Sequence, residues 1–300
     1  MRSQSARRRK IPPAVAVLLL LFLLAAPGAS GLTVLYTSSL NGNLDGCACP
    51  NNPRAGLAVR ASWLRALPGR DAVVLVDAGN VLAGTGDHAL SREILETYAE
   101  LGYDAIAVGG REIADGIDSL AAYRDRFGLI SQNLTLCTTS YCLLFTPQPL
   151  LLEKEGAKVG VFALLDPKAL AAYPKEATQD AKLIPPDVLA GNLVSQLADQ
   201  GAEWIIMLYH GPLKEAEALA RKVPGVHVIV VGSEQRLIRP RKVGDALLVS
   251  PGAEGNRVGI LELSRDGRGR VRHNHSFQLF DYGADAPDPA VLKRIERLRS

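Results

Sequence analysis

The chain has 300 residues, 47% of them hydrophobic and 22% charged, which is enough apolar material for one large α/β domain or two small ones. Its formal net charge of +3 comes from the extreme N-terminus: Arg2, Arg7, Arg8, Arg9 and Lys10 are five positive charges, and without them the remainder carries about −2. A nearly neutral body excludes charge-driven nucleic-acid binding.

The basic stretch runs into an apolar segment from Ala14 to Ala26 and then Pro27-Gly28-Ala29-Ser30. These are the n-region, h-region and small-residue cleavage site of a secretory signal peptide. The apolar segment falls short of the roughly 20 residues of a membrane span, so residues 1–30 are expected to be removed on export. If retained, they would be the one membrane contact. The expected location is periplasmic or extracellular, and no cysteine stands near the cleavage region to receive a lipid.

Leu32 to Tyr36 is a short apolar, β-branched run broken by Ser38 to Asn43, the pattern of a buried strand delivering a loop. Cys47 and Cys49 follow, and Cys137 and Cys142 are the other cysteines. In an oxidising compartment four cysteines imply disulfides, with three possible pairings. Cys137 and Cys142 can close a small loop, whereas Cys47-Ala-Cys49 would make a strained ring and so could reach the other pair.

Helical spacing then predicts helices over 54–67, 89–101 and 117–127, alternating with apolar strands at 72–76, 105–108 and 129–131. Residues 132–149 read as an excursion. Strands at 150–153 and 158–164 join through the Glu155-Gly156 turn, and the polar segment 166–186 is expected to cover the end of the sheet. Helix 187–200, strand 204–209, helix 213–222 and strand 226–231 restore the alternation. Strands at 247–250, 259–264 and 271–279 read as hairpins, and a charged helix closes the chain within 286–300. This order predicts a layered α/β sandwich with its ligands on loops at the carboxyl ends of strands.

Five stretches, in order, resemble the calcineurin-like metallophosphoesterases, and within them the secreted 5'-nucleotidase branch. Ser39-Leu-Asn-Gly42 resembles Asp-x-His-Gly, and Val74-Leu-Val-Asp-Ala-Gly-Asn80 resembles a strand ending in Asp-x-Gly-Asp. Ala107-Val-Gly-Gly-Arg-Glu112 resembles Gly-Asn-His-Glu. Ile206-Met-Leu-Tyr-His210 resembles the strand ending in a lone metal-binding histidine, and Val230-Val-Gly-Ser-Glu-Gln-Arg236 resembles Gly-Gly-His-x-His. The resemblance covers about residues 32–280. It implies a four-layer α/β/β/α sandwich with mixed sheets, one such domain over 31–285, and no counterpart of the branch's C-terminal nucleotide-binding domain.

It also implies where two catalytic divalent ions would sit, one activating water while both stabilise the phosphoryl oxygens. Matched one by one, the metal-ligand positions hold Ser39, Asn41, Asn80, Gly110, His210, Glu234 and Arg236, and only His210 keeps its type. Arg111 stands at the general-acid position and Ala114 where the acid's orienting carboxylate would be. A neutral Asn80 cannot offset two closely spaced dications, so the doubly metallated state is disfavoured.

The expectation is therefore an exported protein that has lost the two-metal centre, carries no cofactor, and binds a phosphate or nucleotide-like anion, or a protein partner, through Asn41, Asn80, Arg111, His210, Glu234 and Arg236. Arg111 and Arg236 could instead pair with Glu112 and Glu234 as scaffold. One alternative is a divergent phosphohydrolase holding a single Mn, Zn or Ca ion at His210, Glu234 and Asp87 or Asp77. Another is a redox contact through the Cys-x-Cys loop. Asn133 and Asn274 fit the glycosylation pattern.

Overall fold

The computed structural model describes residues 31–47, 55–137 and 139–300; the expected signal segment and Cys49 lie outside the described residues. In chain order the elements begin β1 (Leu32–Thr37), α1 (Gly56–Ala66), β2 (Val74–Asp77), α2 (His88–Glu100), β3 (Ala105–Ala107), α3 (Gly110–Ala114), α4 (Ile117–Phe127) and β4 (Leu129–Ile130). Then come β5 (Leu134–Cys137), β6 (Cys142–Leu144), β7 (Leu150–Lys154), β8 (Ala157–Leu165), α5 (Lys175–Thr178), β9 (Ala181–Leu183), α6 (Pro186–Asp199) and β10 (Trp204–His210). The last are α7 (Leu213–Lys222), β11 (Val228–Gly232), β12 (Ile238–Val243), β13 (Ala246–Ser250), β14 (Arg257–Arg265), β15 (Val271–Leu279) and α8 (Pro289–Arg299).

Two six-stranded mixed sheets form, ordered β15-β14-β1-β2-β3-β4 and β12-β13-β11-β10-β8-β7. Alternation along each strand decides how they stack. Val34 and Tyr36 of β1 meet Trp204, Ile206 and Leu208 of β10 in a core between the sheets. The intervening residues point outward: Leu35 packs under helices α1 and α2, and Ile205, Met207 and Tyr209 pack under α6 and α7. The strands are apolar on both faces because both faces are covered, which gives the four-layer α/β/β/α sandwich.

Three readings change. β12 falls in a stretch for which the sequence predicts no element; it is an edge strand, where Arg239, Pro240, Arg241 and Lys242 are tolerated. β13 and β14 do not pair with each other: β13 runs parallel to β11, and β14 crosses to lie antiparallel to β1 in the other sheet. The loop after β3 is in part the short helix α3.

The excursion is a hairpin, β5 with β6, in which Cys137 and Cys142 face each other and form a disulfide. Cys47 is also disulfide-bonded, so it does not cross to that pair. Replacing Cys137 and Cys142 by serine closes no loop in the unfolded chain and should cost about 2 kcal/mol, read as a lower urea midpoint. An unchanged midpoint would show that the bond is incidental to stability.

Candidate functional site at the strand ends

The carboxyl ends of β1 and β2 continue to pair after both strands have stopped. Ala78 donates its N–H to the Thr37 carbonyl (2.9 Å), Ser39 to Gly79 (2.8 Å), Asn41 to Asn80 (2.9 Å) and Gly42 to Val81 (3.0 Å). This ladder forces residues into the left-handed region, with φ of 49° at Ser39, 58° at Asn41 and 58° at Asn80. Ser233 and Glu254, on neighbouring loops, also have positive φ. Such backbone is costly for non-glycine residues and persists where its surroundings fix it.

Two buried carboxylates do the fixing. Glu112 accepts from four backbone N–H groups: Gly109 (2.7 Å), Val81 (2.7 Å), Leu82 (2.9 Å) and Asn80 (3.0 Å). Burial raises its pKa while these donors pull it down. Asp77 accepts from Thr37 Oγ1 (2.6 Å), the Gly79 N–H (2.8 Å) and the Tyr98 hydroxyl (3.0 Å), and the buried Arg60 reaches Tyr98 at 2.6 Å. Burial raises the Asp77 pKa against the opposing charge of Arg60.

His210 joins the two sheets. It sits at the end of β10 beside Gly232 of β11, and its Nδ1–H donates to the Ala78 carbonyl at 2.7 Å. The approach is so close that a Cβ on Gly232 would fall 2.1 Å from the Ala78 oxygen and 2.5 Å from Nδ1, which only glycine allows. Burial lowers the His210 pKa, so the imidazole is neutral with its proton on Nδ1.

The other expected residues have partners of their own. Asn80 Oδ1 accepts the Arg111 N–H (3.0 Å), and the Asn80 side chain bonds the Tyr173 hydroxyl. Asn41 Nδ2 donates to Glu254 Oε1 at 3.3 Å. Glu234 accepts the Leu213 N–H (2.9 Å) at the start of α7. The Arg111 guanidinium donates to the Ala83 carbonyl, and Arg236 is exposed without an ion pair among the described residues. The Ser39 hydroxyl is buried without a hydrogen-bond partner.

Tyr173, from the segment expected to cover the sheet end, is the residue the sequence concealed. Its ring lies where a Cβ on Gly110 would approach to 2.2 Å, so no larger residue fits at 110 beside it. A lone tyrosine among polar residues carries no signal for this, whereas Glu254 follows the Pro251-Gly252-Ala253 spacer and could have been flagged.

No protein-family model matches the chain. Among curated proteins it is 26% identical to a snake venom 5'-nucleotidase of Gloydius brevicauda, over 72% of this chain and 39% of that one. It is 24% identical to the Homo sapiens 5'-nucleotidase, over 98% of this chain and 57% of that one. The chain thus spans roughly two fifths to three fifths of the length of these relatives. The solved structure of calcineurin-like phosphoesterase YfkN from Bacillus subtilis superposes with a TM-score of 0.73 at 19% identity, over 91% of this chain and 97% of that chain. The fold is that of the calcineurin-like phosphoesterases. The sequence resembles the 5'-nucleotidases among them.

The resemblance implies a two-metal centre at these strand ends. Among the described residues no three His, Cys, Asp or Glu side chains converge on a metal position. Of the residues considered for a single ion, Asp77 and Glu234 are taken by backbone N–H groups, and Asp87 caps α2 through the Leu90 N–H at 3.0 Å. His88, the next residue, meets Ser119 Oγ at 3.1 Å and lies 3.6 Å from Asp115 Oδ2. The alternative ion pairs Arg111–Glu112 and Arg236–Glu234 do not form among the described residues: Glu112 takes four backbone N–H groups with both oxygens, and Glu234 Oε1 takes that of Leu213. Asn133 is buried and bonded to Leu165 and Ile184, so it is unsuited to carry a glycan, whereas Asn274 is exposed.

Proposed function

We propose that this chain is an exported, non-hydrolytic relative of the 5'-nucleotidases that binds a phosphate-bearing anion at its strand ends. The observation that carries the reading is a mismatch of charge. Glu112 is committed to four backbone N–H groups and Glu234 Oε1 to that of Leu213, while Arg111 and Arg236 have no carboxylate partner among the described residues. A guanidinium satisfied only by a carbonyl, or by nothing, retains donors suited to phosphate oxygens. The orphaned Ser39 hydroxyl is a further donor at the same ends. The names of the curated relatives support a nucleotide as the anion's source, and the signal-like residues 1–30 support export.

Purified protein should contain less than one equivalent of Mn, Zn or Ca and should not turn over a generic phosphate ester when those metals are added. Calorimetry should show saturable binding of phosphate or a nucleoside monophosphate, weakened about tenfold by Arg111→Ala or Arg236→Ala, the loss expected for one charge-assisted contact. Tight binding of two metal equivalents with ester turnover would instead establish the divergent phosphohydrolase.

A further inference from the structure

The β14–β15 hairpin turns at the pole of the sandwich opposite the strand ends. β1 begins with Leu32 opposite Leu263, and the last hairpin pair, Arg265 with Val271, lies past that start. Residues 264–272 therefore project beyond the first residue of β1, whereas Ser39 follows its carboxyl end. Between Arg265 and Arg272 stand four arginines and one acid, Asp266, a net charge of +3. Residues 31–300 together carry about −2, so all of them outside this tip carry about −5. The tip is a concentrated cationic spot on an acidic body.

The tip is pre-organised, and its one carboxylate is shared. Asp266 Oδ1 accepts the N–H groups of Arg268 and Arg270 at 3.0 Å each, and the Gly269 N–H donates to the Asp266 carbonyl at 2.8 Å. Asp266 Oδ2 meets both Arg270 Nε at 2.9 Å and Arg272 Nη2 at 3.0 Å, and those two side chains stay 60% exposed. Arg268 is exposed, with no side-chain partner among the described residues. Arg265 anchors the base: its guanidinium lies 4.6 Å from the Trp204 ring centre and donates to the Glu203 carbonyl at 3.0 Å. β14 of one sheet is thereby pinned to the start of β10 in the other. The Glu203 carboxylate accepts the Lys158 N–H at 3.2 Å.

Gly31 sits at the same pole, where a Cβ on it would lie 3.6 Å from the Leu263 carbonyl oxygen. Residues 1–30, with their basic and apolar runs, join the body at this point. Until such a segment is cut, it holds this pole, and not the strand ends, against the bilayer. Anionic headgroups there would meet exposed guanidinium forks, which suit phosphodiester oxygens.

We propose that the β14–β15 hairpin tip is a docking surface for a bilayer bearing anionic phospholipids, held by Arg268, Arg270 and Arg272. It leaves the strand ends facing solvent. This contact belongs to the body itself, where the sequence led us to expect a membrane contact through residues 1–30 alone.

The test uses protein recovered after export, with its first residue determined, so that wild type and variants share one N-terminus. It is sedimented with vesicles of equal parts phosphatidylcholine and phosphatidylglycerol, and separately with phosphatidylcholine alone. Binding is expected only to the anionic vesicles and should fade as salt is raised. Arg268→Ala removes a side chain without internal partners and should weaken binding about fivefold; Arg268→Glu should weaken it more than tenfold. Lys214→Ala, which removes one exposed charge beside the strand ends, should leave binding unchanged and so separates this surface from the anion site proposed above. Equal binding to both vesicles, or an Arg268→Ala protein that binds like the wild type, would overturn the assignment. Displacement by millimolar inorganic phosphate would do so in favour of a free-ion site, and retention on heparin without affinity for vesicles in favour of an acidic polymer.

Discussion

Replacing Glu112 with alanine is expected to lower the unfolding free energy by about 4 kcal/mol, as much as breaking a buried charged contact. The reason is the number of groups left stranded. Four backbone N–H groups converge on this one carboxylate, in a buried setting where each unpaired donor costs about 1 to 3 kcal/mol. Partial rearrangement keeps the total below the simple sum. Glu112→Gln is the informative companion, since it keeps one acceptor oxygen but turns an amide N–H₂ toward donors, and it should recover only part of the loss. Urea unfolding monitored by far-ultraviolet circular dichroism measures both. A loss below about 1 kcal/mol for Glu112→Ala would mean that the left-handed turns at Asn80 and Asn41 hold without their clamp.

Glu112 also marks where the sequence is legible and where it is not. The strands that build the sandwich are apolar on both faces, and runs such as Trp204–Tyr209 declare themselves because helices cover one side and the second sheet the other. β12 does not, since an edge strand with Arg239, Pro240 and Arg241 needs no apolar pattern to pair with β13. At the site, the five ordered stretches place Ser39, Asn80, Glu112, His210 and Glu234 at adjoining strand ends. Their partners were hidden because they are mostly backbone groups, and backbone donors leave no trace in residue type. Tyr173 was hidden for a related reason: its contact with Gly110 comes from how the covering segment folds back, and no periodicity encodes that.

Buried histidines are expected to remove about 4 kcal/mol of stability between pH 7 and pH 4. His227 accepts the Ile205 N–H on Nδ1 at 3.0 Å and lies edge-on to Trp204. Burial, with the charge of Arg265, brings its pKa to about 4. His275 reaches about 4 through burial, with Arg239 and His273 acting in the same sense, and burial lowers His210 as well. In the unfolded chain all three titrate near 6.5. As pH drops through that value the unfolded state takes up protons that the folded state refuses. The stabilisation is therefore complete above about pH 7 and is lost progressively toward the folded pKa values. Discounted for partial exposure, His227 and His275 account for about 2 kcal/mol each, and His210 adds in the same sense. Asp77 and Glu112 act in the opposite sense, because burial raises their pKa values and the folded state takes their protons first. A single wild-type curve would thus mix the two groups. The comparison that isolates the histidines is His227→Gln against wild type in urea unfolding at each pH, without phosphate. The variant should be less stable at pH 7, where it loses the Ile205 contact, and should lose about 2 kcal/mol less on acidification. Parallel curves across the range would mean that His227 titrates alike in the folded and unfolded chains, and that the loss on acidification arises elsewhere.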